Sequence, residues 1–393
     1  MGTRSIRLGR LAGIPIGVQP LWLVIVVVIT VSLGAAYYPD EAPGIAPAAA
    51  YALGLLSALL LFGSILLHEL GHAVVARRHG VEIEEIDLWL LGGVARMSGY
   101  PRHALDELRF AIAGPAVTLV IAAVFGAIYF LLPGSAPDWL AALIAYQAIV
   151  NAMILVFNLL PAFPLDGGRV TRALLWWRRG DIASATETAA TIGRGLGYAM
   201  VAVGILSFAA GGFGGLWLAL IGLFVVAAGK AEENGLRVRI ALSGRSAGRL
   251  MTCPAVTIPA ATSVEDAVRS YFLAAKHPAF PVVEGGRVLG LLTAAAIERV
   301  PPRRRATTSA GEIADTDPSL VVAEDQDVAE MLERPAFVHI GRAAVLTADG
   351  RIGLLSITDV NRVLQALELA GGATTSLPAT SPTRFPRRAA PRS

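Results

Sequence analysis

The apolar positions of this chain come in long unbroken blocks. Residues 21–37, 47–67, 110–132 and 139–160 carry no charged side chain. Neither does 195–229, which GGFGG at 211–215 interrupts. A helix needs about 20 apolar residues to cross the hydrocarbon core of a bilayer. Each of the first four blocks fits one crossing. The fifth predicts a helical hairpin that begins near Thr191, with Arg194 reaching to the interface along its own aliphatic stem. The pattern therefore predicts a polytopic α-helical membrane protein with six transmembrane helices. After Lys230 the pattern changes, and residues 245–368 alternate short strand-like runs with amphipathic helical stretches.

Charge placement orients these spans. Arg4, Arg7 and Arg10 precede the first; Arg77, Arg78, Arg96, Arg102 and Arg109 follow the second. Arg169, Arg172, Arg178 and Arg179 follow the fourth, and Lys230, Arg237 and Arg239 the sixth. The alternate connections, 38–46, 133–138 and 210–214, contain no Lys or Arg. Positive charge on one side predicts that both termini are cytoplasmic, in the cell membrane. The start of the chain reads as uncleaved, because no small-residue cleavage site stands out and more spans follow.

Composition sharpens the picture. The 393 residues are 54% apolar and 16% charged, where a soluble domain is about a quarter charged. The net charge of +3 gives no reason to expect a nucleic-acid partner; the lipid bilayer is the expected environment. The single cysteine, Cys253, excludes an internal disulfide, a Cys-rich zinc finger and an iron–sulfur site. It reads as a structural thiol, since no histidine is placed to activate it.

The chemistry lies in the second span, where SILLHELGHAVVARRHG contains His-Glu-x-x-His. On a helix His68 and His72 share a face one turn apart, so both imidazoles can bind one metal while Glu69 stands beside them. Zinc suits neutral imidazole and brings bound water to a pKa of about 7. Glu69 could take that water's proton and deliver it to a leaving amine. Ionisable residues inside a spanning helix cost about 2.5–3.5 kcal/mol each even on lenient scales, so they mark function. A catalytic zinc takes a third protein ligand, and the candidate is Asp166 in VFNLLPAFPLDGGRV. Pro161 and Pro164 prevent a regular helix there, and Gly167 and Gly168 let the backbone bend close to another element. Two readings stand: Asp166 folds in towards the histidines, or it caps the next helix at the interface. His79 and His103 lie at no ligand spacing and read as surface residues.

HELGH in an early span, paired with NLLPAFPLDGGR at a later one, resembles the site-2 protease family of intramembrane zinc metalloproteases (peptidase family M50), over about residues 1–230. The resemblance implies that His68, His72 and Asp166 bind one zinc and that Glu69 is the catalytic base. It implies that Asn158 helps hold substrate or polarise its carbonyl. The family's Gly-Pro motif is here AGPAVT, but Thr118 stands where members often have Asn, so no role carries over to it. Asn151 has a family look, yet a helix–helix hydrogen bond explains it equally well. Residues 81–90, with Gly92-Gly93 behind them, read as a short membrane-associated β-hairpin or as a plain loop. The family has a similar strand, whose edge can hold an unwound substrate by β-addition.

Residues 245–306 and 307–368 read as two copies of one unit. Each has a short strand, a helix with an acid-rich first turn, then two strands about a turn, Glu284-Gly285-Gly286-Arg287 or Ala348-Asp349-Gly350-Arg351. The duplication resembles a pair of CBS (cystathionine-β-synthase) domains, here a cytoplasmic α/β module. Such pairs bind adenine nucleotides, and Gly353-Leu354-Leu355-Ser356-Ile357-Thr358-Asp359 matches the family's ribose-binding pattern, implying nucleotide contacts from Asp359 and Ser356. In the first copy Ala296 replaces the acid, leaving at most one ordinary site. A homodimerisation module without ligand is the other reading. Residues 231–244 read as a linker, and 369–393 as a disordered basic tail.

Together these features point to an intramembrane zinc endopeptidase that cleaves within or near transmembrane segments of membrane-protein substrates, under control of the CBS pair. A CBS-regulated transporter or channel also explains six spans, but it leaves Glu69 without a task. A zinc-binding scaffold without turnover is a third reading.

Overall fold

The computed structural model describes residues 6–11, 13–79, 82–89, 92–98, 103–275 and 277–369. The tail read as disordered lies outside them from residue 370 onward. The chain divides into two units, 1–233 and 234–393.

Seven helices build the first unit: α1 (Leu21–Glu41), α2 (Pro47–Arg78), α3 (Ala104–Leu131), α4 (Asp138–Asn158), α5 (Asp166–Arg179), α6 (Ile182–Ala209) and α7 (Gly214–Leu242). All but α5 are long and apolar enough to cross a membrane. Their ends follow local chemistry. Pro47 opens α2, where its missing N–H costs nothing. Gly180, at φ 76°, ends α5 in the left-handed conformation. Asp181 then caps α6 by accepting from the N–H groups of Ala183 and Ser184.

Between spans, close packing replaces the hydrophobic effect, and small residues permit it. A Cβ on Gly54 of α2 would lie 2.6 Å from the Thr30 carbonyl oxygen of α1. Gly197 and Gly222 face each other across α6 and α7 in the same way: a Cβ on either would lie within 2.8 Å of the other's carbonyl oxygen. Tyr38, Ser57 and Gln147 pair inside the bundle. Tyr38 Oη and Ser57 Oγ are 2.5 Å apart, and Gln147 Nε2 donates to the Ser57 carbonyl at 3.0 Å.

A four-stranded sheet in the order β1-β2-β3-β4 accompanies the helices. β1 (Ile6–Leu11) runs antiparallel to β2 (Ile14–Val18), β2 parallel to β3 (Glu82–Trp89), and β3 antiparallel to β4 (Gly92–Ser98). Among the described residues β4 is therefore an edge. The N-terminal pair differs from expectation, because IRLGRLAGIPIGV reads in sequence only as a basic flank. Ile14, Ile16 and Val18 are buried, and their alternation was the available signal.

Two further points differ. α6 begins at Ile182, ahead of Thr191, and Arg194 is half-buried and paired. It donates to Glu233 Oε2 at 2.5 Å and to the Thr191 hydroxyl at 2.8 Å. Arg172, only 3% exposed, is likewise held inside, donating through Nε to Glu107 Oε1 at 2.7 Å and through Nη1 to Glu232. This triad joins α3, α5 and α7. Within residues 231–244, expected as linker, α7 continues as helix to Leu242, and Val238 and Leu242, one turn apart, are buried on one face.

The second unit repeats one topology. β5 (Ile258–Pro259) is parallel to β6 (Ala279–Glu284), which is antiparallel to β7 (Arg287–Thr293). β8 (Val321–Ala323) is parallel to β9 (Arg342–Leu346), which is antiparallel to β10 (Ile352–Ser356). Gly286 and Gly350 hold φ near 80° in the two hairpin turns. Each copy has its own core: Ile258, Val264, Phe280, Val282 and Leu292 in one, Val322, Met331, Phe337, Val345 and Leu355 in the other. Val238 and Leu242 of α7 join the second.

Candidate metal centre

His68 and His72 project from one face of α2, and both are about 95% buried. The chain breaks helix after α4, and Asp166 opens α5. Gly167 and Gly168 let that opening tuck under the preceding turn: a Cβ at 168 would lie 2.6 Å from the Ala162 carbonyl carbon. Leu165, not Asp166, is the capping residue, and no side chain caps this helix. The Asp166 carboxylate is turned instead to the histidines. Its Oδ2 lies 3.1 Å from His68 Nε2 and 3.3 Å from His72 Nε2, and the two Nε2 atoms are 3.1 Å apart.

These spacings test the fit of a metal. Ligand atoms about 2.0–2.1 Å from a tetrahedral zinc are about 3.3 Å from one another. The chemistry of the donors agrees. His72 Nδ1 lies 2.8 Å from the Phe110 carbonyl oxygen, which can only accept, so the neutral ring carries its proton there. Its Nε2 then presents a lone pair towards a carboxylate oxygen and a second ring nitrogen. Electron-rich atoms converge on one point, an arrangement a cation stabilises. Among the described residues His68, His72 and Asp166 are the group so placed.

α3 forms the opposing wall. Phe110, Gly114 and Thr118 recur every fourth residue along one face. A Cβ on Gly114 would lie 2.6 Å from His68 Nε2 and closer still to His72 Nε2, so the ligands occupy space that only glycine leaves. Glu69, next to His68, lies against β4: a Cβ on Gly93 would collide with its side chain. The edge strand and the carboxylate therefore share one place.

Among the described residues, no side-chain hydrogen bond joins the other predicted residues to this cluster. Asn158 is the last residue of α4, half-buried, with no hydrogen-bond partner among the described residues. Asn151 donates to the Gln147 carbonyl of its own helix at 2.8 Å. His79 is exposed, 3.6 Å from Asp106 Oδ1. Ser356 and Asp359 bind each other at the start of α8 (Ile357–Leu369): the hydroxyl donates to Asp359 Oδ2 at 2.6 Å, and the Asp359 N–H returns to Ser356 Oγ at 3.2 Å. A cavity of about 650 Å³ lies between the two copies, lined by Thr293, Ala296, Arg299, Asp315, His339 and Arg342 among others. Ile357, Thr358 and Asn361 line it; Ser356 and Asp359 do not. Burial presses the Arg342 guanidinium below its ordinary value, and the Asp359 carboxylate opposes that.

Sequence reasoning named Thr118 and Gly93 without giving either a role at the metal centre, and it did not reach the Phe110 carbonyl. The small residues of AGPAVT and LGGVA were the only signals they gave.

Known proteins align with this arrangement. The Peptidase family M50 model matches residues 56–138 and 133–203, and the CBS domain model matches 247–301, the first copy. The zinc metalloprotease Rip3 of Mycobacterium tuberculosis is 38% identical over 93% of this chain and 94% of its own. The zinc metalloprotease MJ0392 of Methanocaldococcus jannaschii is 32% identical over 93% of this chain and 97% of its own. A solved site-2 protease from the same archaeon is 34% identical, over 58% of this chain and 95% of that one, with a TM-score of 0.39. Since Rip3, at 38% identity, aligns with 93% of this chain, the chain belongs to peptidase family M50, the site-2 protease family of zinc metalloproteases, and it carries a CBS domain.

Proposed function

We propose that this protein is an intramembrane zinc endopeptidase of the cell membrane, with cytoplasmic termini, that hydrolyses peptide bonds within or near transmembrane segments of other membrane proteins. The observation that carries the reading is the convergence of His68, His72 and Asp166 within 3.3 Å of one another, beside Glu69 and beneath an edge strand. A bound zinc ion supplies Lewis acidity and makes water available as a nucleophile near neutral pH.

The chain's own residues do the rest. His68, His72 and Asp166 hold the metal. Glu69 accepts the proton of the attacking water and returns it to the departing amide nitrogen, so the net reaction is hydrolysis of one peptide bond. A substrate helix hides its peptide groups in its own hydrogen bonds and has to unwind first. The unpaired edge of β4, which passes alongside Glu69 at Gly93, can take up the unwound segment by strand addition. The Asn158 amide meets the substrate backbone. In the second unit, an adenine nucleotide occupies the cavity beside Arg342 and alters cleavage, with Asp359 turning from Ser356 to the ribose.

The test is cleavage of a transmembrane substrate by purified protein in detergent. Glu69→Ala is expected to retain zinc and lose cleavage by at least about 10²–10⁴-fold, the span of general-base contributions. Undiminished cleavage by that variant excludes the proposed mechanism. Altered flux of a solute with no proteolysis favours the transporter. An added arm with ATP is expected to change the rate; equal rates with ATP bound remove the regulatory part alone.

A further inference from the structure

We infer that Thr118 is a positioning residue of the metal centre: its hydroxyl fixes the tautomer and orientation of His68. The inference rests on the zinc reading above. Thr118 Oγ1 lies 2.8 Å from His68 Nδ1, and Thr118 is 1% exposed. Water therefore does not compete for either group. The hydroxyl has a second partner, the Gly114 carbonyl one turn back on α3, at 3.4 Å. A carbonyl only accepts, so the hydroxyl proton goes to Gly114 and an oxygen lone pair faces His68. The imidazole proton then sits on Nδ1, leaving Nε2 bare towards His72 and Asp166.

The same face of α3 treats both ligands alike. Phe110, eight residues before Thr118, offers its carbonyl to His72 Nδ1 at 2.8 Å. α2 and α3 pair their turns so that Phe110 meets His72, Thr118 meets His68, and Gly114 leaves the space between. The two rings differ in what holds them. His72 depends on a backbone acceptor that no substitution removes. His68 depends on one hydroxyl, and that hydroxyl could also donate, which would put the ring proton on Nε2 and spoil the ligand. Ring N–H acceptors of this kind are worth about 10–100-fold in metal affinity.

The experiment measures zinc affinity of the full-length protein by chelator competition. Thr118→Val keeps the shape and removes the hydroxyl; Thr118→Ser keeps the hydroxyl. Valine is expected to weaken zinc about 10–100-fold, with serine close to wild type. Valine holding zinc as tightly as wild type overturns the inference. Equal weakening by both variants also overturns it, because serine keeps the hydroxyl and the hydroxyl would then not be what holds the zinc. Wild type that binds no zinc removes the metal reading itself, a different result from either. A second measurement needs no variant. Nitrogen NMR of zinc-loaded wild type with labelled histidine is expected to show a proton on His68 Nδ1, and a bare Nδ1 overturns the assignment.

Discussion

A methyl group on Gly114 would stand 2.6 Å from His68 Nε2 and closer to His72 Nε2. Neither ring can retreat, because each is tied at Nδ1 to α3 itself. Gly114→Ala is therefore expected to abolish zinc binding. Alanine favours a helix over glycine by about 1 kcal/mol, so helical content should hold or rise. Zinc retained at wild-type affinity would mean that the wall moves. At this scale the sequence was partly legible. His68, Glu69 and His72 lie within one helical turn, so their spacing alone sets their geometry. Asp166 was a choice between ligand and cap, and the direction of a carboxylate at a helix start is decided by what packs against it. Thr118 meets His68 across 50 residues of chain, and only the rotation of one helix against another brings them together.

Among the elements, β4 depends most on one position. Gly93 brings its backbone against Glu69, and a side chain there would push the strand away or displace the carboxylate. Gly93→Val is expected to leave zinc content unchanged and lower cleavage by about 10²-fold, the cost of misplacing a reacting group by about 1 Å. Normal cleavage by this variant would separate the strand from the chemistry. The long helices were legible because a bilayer imposes length and apolarity on them. The N-terminal strands were not, since β1 and β2 span only 6 and 5 residues and their third partner lies beyond two spans. Arg194 was read as a lone charge seeking water, because its partner Glu233 is 39 residues away. The two copies of the second unit were legible as a repeat, and their strand topology is the same. Two of the three strands in each copy form a local hairpin with a glycine turn, which sequence specifies well.

For the whole molecule, composition places the end of the bundle near Lys230, while the chain divides after Glu233 and helix continues to Leu242. The difference matters because Glu232 pairs with buried Arg172 and Glu233 with Arg194. Breaking a buried ion pair is destabilising, and without Glu232 the buried Arg172 keeps Glu107 alone. A bundle ended after Lys230 is expected to melt at a lower temperature in detergent than one ended after Leu242, and equal midpoints would show that the pairs contribute nothing. Gene fusion brings out the same dependence. A foreign regulator grafted where hydropathy falls would take Glu233 from Arg194 and leave Arg172 with Glu107 alone, so an exchange of modules keeps these pairs only if the graft begins beyond Glu233. The visible seam in the sequence is not where the protein can be cut.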